Sequence, residues 1–519
     1  MPTPQPGPDP APRILPDRPD LRYLKDEAKR RLAAGEFQSL TQAQFAVARE
    51  HGILSWPRLK AFVETRRLDL AGRAAALVKS ACSGDLRIAR ALLAAEPALA
   101  RHDLWTACAC GEAEEVAAHL SRDPAAATRK GGPLDREPIL YACFSRYLRA
   151  DANRAAGIVR VVRLLLDHGA DPNSYYLDDH GGDKPLAQHC IYAAAGIANN
   201  AELTRMLLDA GTVVSDPGLA WNDALSPANE VVYHAAEHRD TACLEMILAR
   251  APKGAIDYCI GRALDYEHPE AIELFLEAGA DPNHRVHWKG TRTQAHKAVV
   301  AGRSARVIEL LLDHGADANA RDAFGMTMYR SAVRLGQHET AALLAARGAD
   351  TSDVTEDDVA TGELMAGRAP ARRPRWVDPH LLAEAASRDN LPAIRLLIET
   401  GADVNALARA NVMGPLHWAC WRGNFEAAAA LIGHGADLGA KNEYGGDALG
   451  TTIHGSTHCF DEGGPGMKLP EEVPPRGYAR IAELLIARGA ALPKEMGHAS
   501  EAVREVLRRH GVKDREEEE

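Results

Sequence analysis

The strongest constraint on this chain is one short segment that keeps returning. It reads VVRLLLDHGADPN at 161–173, AIELFLEAGADPN at 271–283, VIELLLDHGADAN at 307–319 and AIRLLIETGADVN at 393–405. Weaker copies occupy 203–215, 340–352, 427–439 and 481–493, and the weakest 88–100, 116–127 and 243–255. Self-similarity on this scale marks an array of small stacked units. At 519 residues the chain is also longer than one hydrophobic core usually serves. Each copy is physically legible. Ile308, Leu311 and Leu312 fall on one side of a helix. Gly315 stops that helix, because a residue without Cβ takes the left-handed conformation. Asp317 and Asn319 then favour a tight turn.

A second segment precedes some copies. In GPLHWACWRGN (414–424), Gly414-Pro415 suits a helix start, Ala419 and Cys420 permit close helix contact, and Gly423 ends the helix. TQAHKAVVAGR (293–303) has the same shape. Composition agrees with a helical array. Hydrophobic residues make up 46% but aromatic ones only 5%, so the core is built from Ala, Leu, Val and Ile, which suits close-packed helices.

These segments resemble the ankyrin repeat: a Thr-Pro-Leu-His start, a small-residue helix, Gly, a second helix ending Gly-Ala-Asp, then an extended finger. The spacing from Gly315 to Gly348 is 33 residues, from Gly401 to Gly435 is 34 and from Gly279 to Gly315 is 36, near that family's period. Longer intervals, 42 from Gly169 to Gly211 and 54 from Gly435 to Gly489, carry insertions. The resemblance implies an all-α ankyrin-repeat solenoid of about eleven units, strong at 270–350 and 380–440 and degenerate before 160. The whole chain also resembles a subgroup of bacterial ankyrin-repeat proteins, through SWPRLKAFVE (55–64), Tyr444-Gly445-Gly446 and His454-Gly455-Ser456. That second resemblance sharpens the fold more than the function.

Around the repeats, the Pro-rich residues 1–18 are expected to be disordered. Residues 19–67 read as three short helices forming a small cap on the first repeats, with Ser39 and Gln42 in a capping-box pattern. Repeat blocks are expected at 70–352 and 377–512, separated by a linker or atypical repeat at 353–376, with an insertion at 441–478 and an acidic tail at 513–519. The N-terminus lacks the apolar run of a signal peptide, and no stretch is long and apolar enough to span a membrane. The expected location is the cytoplasm. Nine cysteines, odd in number and irregular in spacing, read as small buried hydrophobes in a reducing compartment. The net charge of −11, from 61 Lys and Arg against 72 Asp and Glu, argues against a dedicated nucleic-acid binder.

A solenoid of this kind binds along its concave surface, where aromatic and Arg side chains supply most interface energy. Three places offer them. Arg285, His287, Trp288 and Arg292 share one finger. Trp421 and Arg422 occupy positions that the ankyrin resemblance leaves exposed, whereas Trp418 takes a core position and His296 and His417 bond between repeats. The 441–478 insertion carries Tyr444 and a cluster of His454, His458, Cys459 and Asp461. His454 and His458 would share one face if the segment is helical, a spacing known from metal sites, but the Glu of a zincin motif is missing and Gly455 and Ser456 weaken a helix. No nucleophile–base pair, P-loop or dinucleotide fingerprint is present. The sequence therefore points to a non-catalytic scaffold binding a protein or peptide without a cofactor. The alternative is a metal-dependent or small-molecule-binding enzyme with its site in the insertion.

Overall fold

The repeated turn dictates how the units stack. In the computed structural model, which describes residues 13, 15, 20–37, 40–51, 56–83, 86–178, 185–286, 292–375, 377–406, 413–458, 476–496 and 499–514, Gly315 and Gly401 end their helices at φ +89° and +105°. Asp317 then accepts from the Asn319 amide at 2.9 Å, and Asp281 from the Asn283 amide at 2.8 Å. The Asn also ties one turn to the next. Asn283 donates to the Gly315 carbonyl at 2.9 Å and accepts from the Asp317 amide at 2.8 Å. Asn319 accepts from Asp350, and Asn405 from Asp437, in the same manner. Each exposed turn thus satisfies backbone groups of its neighbour.

Helices pair and stack in two rows. Gln294–Val300 pairs with Ala305–Asp313, Met328–Arg334 with His338–Ala346, and Pro415–Arg422 with Phe425–Gly433. First-row helices pack on first-row helices, and second-row on second-row. Short antiparallel hairpins extend two fingers, pairing Tyr175–Asp178 with Leu186–His189 and Arg285–Val286 with Arg292–Thr293. One buried core runs from Ala74 to Ala349 and a second from Leu364 to Val512, both rich in Ala, Leu, Val and Ile. The eight described cysteines are free and buried. Burial pushes the Cys82 and Cys420 thiols up to about 12, so they act as apolar packing groups.

The rows break where the period does. Within 353–376 the chain forms the helix Glu356–Met365, begun by a reciprocal capping box between Thr355 and Asp358. The Asp358 side chain, 1% exposed, also binds Arg330 at 2.9 Å and Arg334 at 2.8 Å. This helix packs on Met328–Arg334 and then on Leu391–Glu399, a second-row helix. The slip brings Pro379–Ser387 back toward earlier first-row helices. Arg334 reaches Asp378 at 3.4 Å, and Arg388 donates to the Val300 carbonyl, 88 residues away.

The N-terminal segment forms three helices, Leu21–Ala33, Leu40–Glu50 and Trp56–Arg67, around Leu24, Ala28, Val47, Leu59 and Val63. It meets the first repeat helix, Leu70–Cys82, and also the last helix, Glu501–Arg509. Ser39 lies outside the described residues, and the Gln42 amide donates to the Arg509 carbonyl at 2.5 Å. Arg508, 1% exposed, binds Glu501 at 2.7 Å and lies 5.1 Å from the Phe45 ring centre. One small unit thereby links both ends of the array. In a Gln42→Cys/Arg509→Cys variant, a short bismaleimide should form an intramolecular cross-link, visible as a shifted monomer band. Adding Phe45→Asp should abolish it.

Candidate functional site

A polar and aromatic stripe crosses the first-row helices. Its centre is Glu237, which follows the helix Pro227–Ala235 and has a fully buried side chain. His234 Nδ1 lies 3.1 Å from one Glu237 oxygen, and the Arg262 Nε–H donates to the other at 2.6 Å. Arg262, from Lys253–Tyr266, sits 4.8 Å from the Tyr233 ring centre and 4.6 Å from that of Tyr266. The Tyr192 ring packs on His234 at 5.4 Å. Burial alone pushes His234 down, but its hydrogen bonds and charge contacts with Glu230 and Glu237 outweigh that and raise it to about 9. His234 is therefore a cation at neutral pH. Burial favours the neutral form of Glu237, yet His234 and Arg262 hold its carboxyl below the usual range. The stripe continues through Lys297, which reaches Asp265 at 2.9 Å and the Gly261 carbonyl at 2.8 Å.

Farther along, the slip in the rows gathers more charge. The Arg388 guanidinium covers Gly302, where a Cβ would lie 2.9 Å from Nη1. Glu384 accepts from Arg388 Nε at 2.9 Å, and Arg303 Nη1 faces Glu267 at 3.5 Å. Trp421 and Arg422, half-buried, continue the surface at the end of Pro415–Arg422. The Trp421 ring lies 5.4 Å from that of His454, and its carbonyl accepts from Tyr478 Oη at 2.8 Å.

Comparison with known proteins agrees with the repeat geometry. The family profile described as ankyrin repeats (3 copies) matches residues 260–355, and ankyrin repeats (many copies) matches 382–432. The chain is an ankyrin-repeat protein. A putative ankyrin repeat-containing protein of Treponema pallidum is 33% identical over 32% of this chain and 47% of its own length. The mouse B-cell lymphoma 3 protein homolog is 30% identical over 34% of this chain and 35% of its own length. The matches thus span about a third to a half of these relatives. The solved ankyrin repeat domain of Bcl-3 aligns at 26% identity over 42% of this chain and 92% of that domain, with a TM-score of 0.22.

The side chains singled out from sequence fall into different settings within the ankyrin array. Arg285 is exposed and donates to the Arg321 carbonyl at 3.2 Å, while Arg292 reaches Asp322 at 3.4 Å. His287 and Trp288 lie outside the described residues. Tyr444 is 70% exposed on the turn at 442–446. Trp418 is half-buried, with its indole nitrogen buried, where a core position was expected. His296 and His417 are buried, bonding Ser331 Oγ and the Ala440 carbonyl, both at 3.0 Å. His454 is exposed on Ala448–His458, whereas the His458 side chain, Cys459 and Asp461 lie outside the described residues. Among the described residues no group of three or more His, Cys, Asp or Glu side chains could hold a metal ion. No described helix is long and apolar enough to cross a membrane. Sequence reasoning missed Tyr233, His234, Glu237 and Arg262. The signal for the first three was the run VVYHAAEHR (231–239), which sets His234 beside Tyr233 and one helical turn before Glu237, whereas Arg262 comes from another helix.

Proposed function

We propose that this ankyrin-repeat protein is a non-catalytic scaffold that binds a partner protein or peptide along the concave, first-row face. The observation that carries the reading is Trp421 with Arg422, half-buried on that face beside exposed His454. Tryptophan and arginine in such partly covered settings are the usual anchors of interfaces. Arg285, His287, Trp288, Arg292 and Tyr444 extend the contact along the fingers. The relatives support a role in protein assembly, since one is described as the nuclear factor NF-kappa-B p105 subunit of chicken. The scaffold works in the cytoplasm and needs no cofactor.

The test is capture from native lysate with quantitative mass spectrometry. A Trp421→Ala/Tyr444→Ala variant should lose a partner that the wild type retains, by roughly tenfold or more, with its melting temperature and helicity unchanged. Glu277→Lys, on a second-row helix, should retain it. Equal capture by both variants would refute this placement of the binding face.

A further inference from the structure

Arg303, Arg388 and Arg422 come from three different repeats, yet the slip in the rows gathers them at one place. Arg303 is only weakly satisfied. Its side chain is 16% exposed, its Nη1 has Glu267 only at 3.5 Å, and that carboxylate already accepts from the Ser304 amide at 2.8 Å. Its Nε–H is buried and has no acceptor among the described residues. A buried guanidinium N–H without an acceptor is costly, and a carboxylate placed at the exposed edge of the same guanidinium offsets part of that cost through its charge. Arg388 is pinned from two sides, by Glu384 and by the Val300 carbonyl. Its guanidinium packs flat over Gly302, next to Arg303.

We propose that this junction seats a side-chain carboxylate from an acidic segment of the partner. This rests on the scaffold reading above. Asp and Glu supply such a carboxylate on any partner without modification, and a planar carboxylate matches the guanidinium fork. The electrostatics agree with the geometry. Burial, together with the Arg422 and Arg388 charges, holds Arg303 below its ordinary value despite Glu267 and Asp265. Burial is the largest of these effects, so the Arg303 cation is held in a setting where carboxylate contact is under-supplied rather than absent.

The probe is a fluorescein-labelled peptide of alternating Glu and Leu, followed by anisotropy against the full chain, with a Lys and Leu peptide as control. The expected result is saturable binding of the acidic peptide below about 1 mM, weakened by rising salt and absent for the basic one. Arg303→Gln should weaken it by about tenfold, and Arg303→Lys should restore only part of the loss because Lys has no Nε–H fork. Melting curves of both variants should overlay the wild type, so that the loss is not unfolding. No saturable binding, or equal binding by Arg303→Gln, overturns the proposal. Displacement by equimolar inorganic phosphate also overturns it, in favour of a phosphoryl seat. Failure here is distinguishable from failure of the scaffold reading. A partner lost on Trp421→Ala/Tyr444→Ala but retained on Arg303→Gln leaves the scaffold standing and removes the carboxylate seat.

Discussion

Replacing Glu237 by Ala should destabilise the array by about 3–5 kcal/mol, the usual cost of stranding a buried charge. The carboxylate is fully buried and is shared by His234 at 3.1 Å and Arg262 at 2.6 Å. Removing it leaves His234 with only Glu230, at 3.4 Å, and Arg262 with only Asp265, at 3.8 Å. The tyrosine rings on either side of Arg262 cannot replace a carboxylate, since a cation–π contact is worth about 0.5–2 kcal/mol. The same network sets a pH signature. His234 is raised to about 9 in the folded chain. A histidine raised by folding contributes stability that is fully present below its unfolded pKa of about 6.5. That contribution is lost as pH rises through about 9. Thermal unfolding of the wild type should therefore weaken between neutral pH and pH 10, with a flatter profile in His234→Gln. An identical slope in the variant would show that His234 does not carry the effect.

Gly362→Val should split the array at its slip. A Cβ at Gly362 would stand 2.0 Å from the Val333 carbonyl oxygen, a backbone atom held within Met328–Arg334. No rotamer relieves a clash at Cβ, so either the helices separate or the second block shifts. Overpacking of this severity costs about 3 kcal/mol or more. In a repeat array the loss falls on one interface. The expected unfolding curve therefore changes from one transition to two, with the block after Glu356–Met365 melting first. Gly401→Ala provides the contrast. No atom lies within 4 Å of its Cβ position. The penalty there is backbone strain at φ +105°, about 1–2 kcal/mol.

The parts of this molecule that sequence reading reached are those fixed by neighbours in the chain. Ile308, Leu311 and Gly315 define a helix and its end within eight residues, and Asp317 with Asn319 defines the turn. What the turn residues also do, tying each repeat to the next through Asn283 and Asn405, depends on stacking and is visible only once the units are placed. Tyr444 and Arg285 were legible as exposed because fingers and turns lie on surfaces. The Glu237 network was not, since 231–262 lacks the Gly-Ala-Asp signature and its members meet across two helices. Arg303 and Arg388 were separated by a break in the period. The contact between Gln42 and Arg509 spans 467 residues and leaves no local trace.

The most direct measurement is site-specific photo-cross-linking in living cells, with benzoylphenylalanine placed at Trp421, at Tyr444 or at Glu277. Binding along the first-row face requires that Trp421 and Tyr444 capture the same protein while Glu277, on a second-row helix, captures none. Capture of that protein from Glu277 alone would place its binding on the opposite face and contradict the scaffold described here.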